Sequence, residues 1–280
     1  MLKVLQTGLY TSIQDMGRTG YRKYGVPVSG VMDAFSAKQA NLLLNNKVDC
    51  AVLECTQTGP TLLFTQPTHI AICGAEMEAQ LNEKPVTLNK PVLVQSNDIL
   101  SFGKLQHGMR CYLAIKHGFK TRLVLNSRSY YQPLTDQQTI LTDQHIWYDA
   151  FTKPLGNSHS KLSINPLHFE KIFIEVHRGP EFDLLTPKQL AFLWHTTFHI
   201  GINNRMAYQL NELLSNTLAS ILTSAVLPGT VQLTPSGKLI VLMRDAQTTG
   251  GYPRILQLTE AAINRLAQKK LKDEVKFVLV

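Results

Sequence analysis

Thr61-Leu-Leu-Phe-Thr-Gln-Pro-Thr-His-Ile-Ala-Ile-Cys73 sets two short apolar runs, Thr61 to Phe64 and His69 to Cys73, on either side of a break at Pro67. Runs of this length, closed by turn-forming residues, are strand signals. The pattern recurs at Val92 to Gln95, Ile99 to Phe102 and Cys111 to Ile115, bounded each time by Gly, Pro, Asn or Asp. A repeat of about ten residues with turn chemistry in between predicts a sandwich or barrel, not helices alternating with parallel strands.

Helical pattern is confined to three places. Asp33 stands as a cap before Ala34 to Leu44, where Phe35, Ala40, Leu43 and Leu44 are expected to line one side. Thr186-Pro187, a cap residue followed by proline at the first helical position, opens a second helix running through Gln189 to Trp194. A third follows Thr259-Glu260 and carries Ala261, Ile263, Leu266 and Ala267 before a lysine-rich end that suits the negative pole of the helix dipole. Three helices among many strands make the chain mainly β.

The 280 residues are enough for a sizeable core, since a chain of this length buries roughly 75% of its unfolded surface. With 44% apolar and 17% charged residues the composition is that of an ordinary globular protein, and no apolar run approaches the roughly 18 residues of a membrane span. Gly8, Gln14 and Asp15 interrupt any apolar core of a signal peptide near the N-terminus, which predicts the cytoplasm. Cys50, Cys55, Cys73 and Cys111 form no CxxC pair and have no His at zinc-ligand spacing, so reduced and mostly buried thiols are expected. The net charge of +8 favours anionic ligands or acidic partners. Basic residues without interleaved aromatics do not make a nucleic-acid surface, so neither nucleic acid nor membrane is an expected partner.

From Ser127 to Lys171 the chain turns polar and irregular, broken by Pro133, Pro154, Gly156, Asn157, Ser158 and Ser160. Two β-rich lobes, residues 1–125 and 165–280, joined by an irregular connection over 126–164, are the expected organisation.

Three stretches carry more glycine and hydrogen-bonding groups than packing requires. In the first, Gln14-Asp15-Met16-Gly17-Arg18-Thr19-Gly20-Tyr21, the glycines Gly17 and Gly20 permit close backbone approach, and Arg18 offers a planar fork of donors for a carboxylate or phosphate. Asp15 is its expected structural partner, and the pair could equally do no more than fix a tight loop. The second, Gly201-Ile202-Asn203-Asn204-Arg205-Met206-Ala207-Tyr208, centres on Arg205. The third, Asp245-Ala246-Gln247-Thr248-Thr249-Gly250-Gly251-Tyr252-Pro253, directly follows the apolar strand Leu239 to Met243. There backbone N–H groups and threonine hydroxyls can hold an oxyanion or an amide. It is not a phosphate loop of the Gly-Lys-Ser type, because no lysine follows the glycines. His195 and His199, four apart, are expected on one strand face about 13 Å from each other, too far to share a zinc ion. No G-x-S-x-G elbow or other self-contained catalytic constellation is present, and no metal site is expected.

These stretches, with Leu53-Glu54, Gly59-Pro60, Cys111 to Ala114, Ser127-Arg128-Ser129 and Pro228-Gly229-Thr230-Val231-Gln232, resemble the allophanate hydrolase subunit 2 family. That family includes 5-oxoprolinase subunits of PxpC type, KipA proteins and part of the carboxyltransferase region of urea carboxylases. The resemblance runs in order from about Leu5 to Phe277, so that residues 1–280 form one carboxyltransferase domain of the A/B type. It implies a cyclophilin-like β-barrel, a subunit 1 partner of PxpB or KipI type and a site that needs that partner. For the oxoprolinase version it also implies a PxpA-like subunit, and ATP used by the complex to open 5-oxoproline to glutamate, a nucleotide-dependent hydrolase reaction on a small lactam. Asp15, Gly17, Arg18, Gly20, Asn204, Arg205, Met206, Tyr208, Asp245, Gln247, Thr248, Thr249, Gly250, Gly251 and Tyr252 are the substrate-binding candidates on this reading.

Two other functions remain open within the same resemblance. One is a KipA-type regulatory protein that binds and antagonises a KipI-like kinase inhibitor. The other is one part of a biotin-dependent carboxyltransferase acting on urea or a related amide. The chain departs from the family pattern mostly by losing glycine: Asn45, His117, Asn126 and Lys272 stand where glycine is usual, and Ala207 does too. Asn204 replaces an aspartate expected to position Arg205. A side chain at a glycine position cannot reach every glycine conformation freely.

Overall fold

The computed structural model describes residues 1–156 and 167–280. Asn157, Ser158 and Ser160 of the polar stretch lie outside the described residues. The chain divides into two compact units, one made of Met1–Arg18 and Ser29–Asn165, the other of Thr19–Val28 and Pro166–Val280.

Among the described residues the first unit holds eleven strands: β1 (Leu2–Gln6), β2 (Tyr10–Gln14), β3 (Val52–Thr56), β4 (Thr61–Phe64), β5 (Thr68–Glu76), β6 (Gln80–Leu81), β7 (Lys84–Pro85), β8 (Pro91–Val94), β9 (Ile99–Ser101), β10 (His107–Ile115) and β11 (His145–Ile146). They form a six-stranded sheet in the order β11-β1-β4-β9-β6-β7 and a five-stranded sheet in the order β2-β3-β10-β5-β8. Period-two alternation explains why β3, β5 and β10 read as continuous apolar runs. Leu53, Cys55, Ile70, Ile72, Cys111, Leu113 and Ile115 point into a core shared with Leu2, Val4, Leu62 and Phe64 of the other sheet. The residues between them, Val52, Ala71, Cys73, Tyr112 and Ala114, face helix α1 (Ala34–Leu43).

Helix α1 starts where Asp33 predicts, with its carboxylate accepting from the N–H groups of Phe35 and Ser36. Its sheet-facing side is Ala34, Ala37 and Ala40, small residues that let the helix lie close on Ala71 and Ala114, with the C-cap Leu44 buried beside them. Phe35 is exposed, against the sequence expectation, because it sits about 100° round the helix from Ala34 and the alanines define the seam. Three thiols, Cys55, Cys73 and Cys111, are buried in this unit, and Cys50 is half-buried. Burial pushes the Cys73 thiol up to about 12 and raises Cys55 and Cys111 as well.

Among the described residues the second unit contains helices α2 (Leu167–Glu170), α3 (Pro187–His195) and α4 (Glu260–Leu266), and nine strands. These are β12 (Phe173–Arg178), β13 (Phe198–Asn203), β14 (Ala207–Leu210), β15 (Ser224–Ala225), β16 (Thr230–Leu233), β17 (Leu239–Leu242), β18 (Thr249–Gly250), β19 (Arg254–Leu258) and β20 (Glu274–Leu279). Seven of them close into a barrel in the order β12-β19-β16-β17-β14-β13-β20, while β15 and β18 form a separate two-stranded ladder. The fold is mainly β with a closed barrel, as the strand spacing and the family resemblance imply.

Thr186 caps α3 through a full capping box with Gln189, and Thr259 caps α4. On α4, Ala262, Ile263 and Leu266 are buried while Ala261 is exposed, one step off the packed face. The lysines after α4 are not all solvated: Lys269 is buried and donates to the Phe169 carbonyl at 2.8 Å. His195 and His199 do not share a strand. His195 ends α3, Thr196 is its C-cap, and the strand begins only at Phe198. The helix runs one residue past Trp194, and Thr196 N–H closes its last turn on the Phe192 carbonyl.

Candidate functional site

In the first unit the QDxGRxG stretch folds around Asp15. Its Oδ1 accepts from Gly17 N–H at 2.8 Å, Ser127 Oγ at 2.6 Å and Ser129 Oγ at 2.7 Å, and its Oδ2 accepts from Arg128 N–H at 2.6 Å. The Ser127-Arg128-Ser129 string is therefore a clasp for one carboxylate, reached across more than a hundred residues of sequence. Arg18 is fully buried and donates to the Ser129 carbonyl. Both side chains thus help to fix this loop. Gly17 and Gly30 meet in the same loop: Gly30 has φ +83°, and a Cβ there would stand 2.8 Å from Gly17 N. Gly20 belongs to the Thr19–Val28 segment counted with the second unit.

In the second unit the other two stretches come together. Asp245 N–H donates to the Arg205 carbonyl at 2.9 Å and Met243 N–H to the Met206 carbonyl at 2.8 Å, which ties the turn before β14 to the end of β17. The Arg205 side chain then closes a two-point pair on Asp245, with Nε to Oδ2 at 2.8 Å and Nη2 to Oδ1 at 3.1 Å. Asp245 supplies the carboxylate that the family pattern leads one to seek at position 204. Asn204 instead accepts from Met206 and Ala207 N–H through its Oδ1, at 2.8 and 3.0 Å, and so shapes the turn. Met206, Thr249 and Tyr252 are exposed; Gln247, Thr248, Gly250 and Gly251 are half-buried. Tyr208 is fully buried: alternation in β14 places Tyr208 and Leu210 inward, so it is a core residue.

Sequence reasoning missed the residues that hold the Thr248–Gly251 loop. Arg22, in the Arg22–Tyr24 turn of 3-10 helix, donates through Nη2 to the Val226 and Thr248 carbonyls, the latter at 3.4 Å. Burial holds its guanidinium below the ordinary arginine value. Arg254 pairs with Glu181 through Nε and Nη2 at 3.0 and 2.8 Å and reaches the Ala225 carbonyl through Nη1 at 2.9 Å. The Arg254 hydrogen bond holds the Glu181 carboxyl below the usual range. Gln232 lies under Gly250, where a Cβ would meet Gln232 Nε2 at 2.5 Å. The legible signal was a glutamine inside the apolar strand Thr230–Leu233, a polar side chain that packing alone does not call for.

Residues 24–279 match the model of the carboxyltransferase domain, subdomain A and B. The chain belongs to this family. Within it, the chain is 33% identical over 287 aligned positions to the C subunit of 5-oxoprolinase from Escherichia coli strain K12, covering 99% of this chain and 91% of that protein. A urea amidolyase of Lachancea kluyveri is 44% identical over 128 residues, which is 45% of this chain and 7% of that protein. The Kluyveromyces lactis urea carboxylase structure superposes with a TM-score of 0.83 at 26% identity, over all of this chain and 27% of the other.

Four of the departures from the family's glycine pattern fall on left-handed backbone. Asn45, His117, Asn126 and Lys272 have φ of +50°, +66°, +61° and +72°. The backbone of this carboxyltransferase-family member keeps the glycine conformation although the glycine itself is gone. Ala207 lies in β14 and makes no such demand. Among the described residues no helix is long and apolar enough to cross a membrane, and no group of three or more His, Cys, Asp or Glu side chains could hold a metal ion.

Proposed function

We propose that this chain is the C (PxpC-type) subunit of an ATP-dependent 5-oxoprolinase, cleaving 5-oxoproline to glutamate with PxpA-like and PxpB-like partners. The observation that carries this reading is the length of the match: the alignment to the C subunit of a 5-oxoprolinase takes in nearly all of both proteins. The chemistry of the second unit fits the task. Opening a lactam develops negative charge on its carbonyl oxygen and requires its carboxylate, and any phosphate, to be held. Arg205, set by Asp245, with Arg22 and the Thr248–Gly251 backbone, are donors of the required kind, all within the second unit. ATP supplies the driving force for ring opening in the complex. The part of this chain is to present fixed donors, and no residue in it is needed as a nucleophile.

The test is reconstitution. The purified chain, mixed with its PxpA-like and PxpB-like partners, should release glutamate from 5-oxoproline only when ATP is present. A folded three-protein mixture that releases none rejects the proposal. The stronger identity to a urea amidolyase over 128 residues favours one second reading, carboxyl transfer from carboxybiotin to urea or a related amide. That reading predicts turnover with a biotinylated carrier in place of the PxpA-like protein.

A further inference from the structure

Strand β16 carries four buried side chains, Thr230, Val231, Gln232 and Leu233. Gln232 is paired in register with Ile240 on one side and Arg254 on the other, so these three side chains share a face of the barrel sheet. The polar groups around it are mostly satisfied. Thr230 Oγ1 donates to Gln257 and accepts from Leu227 N–H. Arg254 is committed to Glu181, and Arg205 to Asp245. Two donors are left over. Gln232 Nε2 and Arg22 Nη1 are buried and have no hydrogen-bond partner among the described residues.

Both spare donors lie against the same small structure. Arg22 Nη2 holds the carbonyls of Val226 and Thr248. Gln232 Nε2 packs under Gly250, and the Val226 Cγ1 atom comes within 3.4 Å of the same point. The free Nη1 of a guanidinium and a neutral amide N–H, each buried and each set against the Val226 and Thr248–Gly250 segments, suit an acceptor with two oxygens. Leaving two such groups empty is costly, and native proteins retain unsatisfied buried donors mainly where a ligand or water completes them. The acid tied to this place, Glu181, is already used by Arg254, the register partner of Gln232, so the acceptor comes from outside.

We propose that Arg22 and Gln232 form a binding site for a small oxyanion, a carboxylate or a phosphate, beneath the β15–β18 ladder. The cover is slight. The pairs Ser224↔Gly250 and Ala225↔Thr249 are flanked by Val226 N–H to the Thr248 carbonyl at 3.1 Å and Ile221 N–H to the Gly251 carbonyl at 2.9 Å, and Leu222, just before β15, is 94% exposed. A short ribbon at the surface, outside the barrel's own ladder, is where local opening is expected to give a ligand its way in. The site is defined by geometry alone; its connection to the carboxylate of a lactam substrate rests on the function proposed above.

The experiment titrates the full chain separately with 5-oxoproline, L-glutamate and inorganic phosphate at constant ionic strength. Amide hydrogen exchange at residues 224–226 and 248–250 is the readout. At least one of the three should raise protection there saturably, and Arg22→Gln and Gln232→Leu should each weaken the apparent Kd at least tenfold, with Arg22→Lys in between. A response to phosphate alone identifies a phosphate site, and one shared by the two carboxylates a carboxylate site. No saturable response in the wild-type chain, or an unchanged Kd in a Gln232→Leu variant with a wild-type circular dichroism spectrum, overturns the proposal. If Arg22→Gln fails to fold, Gln232→Leu carries the comparison. An idle reconstituted complex with intact anion binding removes the oxoprolinase reading and leaves the site. An active complex whose KM is unmoved by both substitutions does the reverse.

Discussion

Arg205 and Asp245, 40 residues apart in sequence, form a two-point ion pair whose side chains are each only 6% exposed. Backbone hydrogen bonds between the same two segments bring them together, so the pair finishes a link that the barrel strands begin. Removing one partner leaves a buried charge alone, which costs about 3–5 kcal/mol. Asp245→Ala is therefore expected to lower unfolding stability by that amount in urea denaturation. Replacing both residues, as Arg205→Met with Asp245→Leu, should recover most of the loss. A stable double variant without glutamate release would separate the pair's chemical role from its structural one.

The non-glycine residues on left-handed backbone give a prediction of opposite sign. Lys272 is the third residue of a turn closed by Asp273 N–H to the Lys270 carbonyl, the place where such turns favour glycine. Its side chain is exposed, so Lys272→Gly removes conformational strain without emptying a core. Between Val124 and Ser127 both central residues, Leu125 and Asn126, have positive φ, and the two flanking residues exchange both hydrogen bonds. That geometry suits Asn-Gly far better than Leu-Asn. Lys272→Gly and the pair Leu125→Asn with Asn126→Gly are each expected to stabilise by about 0.5–1.5 kcal/mol, after the entropy that glycine adds to the unfolded chain. Thermal unfolding of the single and combined variants checks both.

Asp15 is the other charged centre. Its four donors come from two chain segments, and Asn in its place would set an amide against the Arg128 N–H that Oδ2 now accepts. Asp15→Asn is expected to cost about 1.5–3 kcal/mol, the range for hydrogen bonds to a charged group. The loss should appear as raised hydrogen exchange at Ser127 to Ser129 before any global change.

What could be read in advance follows from how far each interaction reaches along the chain. Strands such as Cys111 to Ile115 and the three capped helices declare themselves because their signals lie within a dozen residues. The seam of α1 misleads at Phe35 because small residues, not the largest apolar one, set the approach to Ala71 and Ala114. Arg205 and Asp245 were each legible as candidates, but their pairing was not, since nothing local marks a contact across 40 residues. Arg22 and Gln232 escaped for the same reason. An arginine beside a glycine loop and a glutamine in a strand gain meaning only when the barrel places Gly250 and Val226 against them.

The closing seam of the barrel makes stability depend on pH in two opposed ways. His199, on β13 where it meets β20, donates through Nδ1 to Glu212 at 2.6 Å and has Glu274 at 3.7 Å from Nε2. The Glu212 hydrogen bond, then the charges of Glu212 and Glu274, raise the imidazole above its ordinary value. A raised folded value means that the contribution is complete below about pH 6.5, the unfolded value, and fades as pH rises through the folded one. Glu181 runs the other way. Held low by Arg254, it contributes above the usual carboxylate range and is lost as pH falls through its folded value. His199→Gln should therefore flatten the decline in the urea midpoint as pH rises above about 6.5 and leave the acid side alone. Glu181→Gln should lower the midpoint at neutral pH and flatten the acid limb below about pH 4.5. Urea melts across that range for the two variants and the parent decide it, and an alkaline decline that persists unchanged in His199→Gln would remove the histidine from the account.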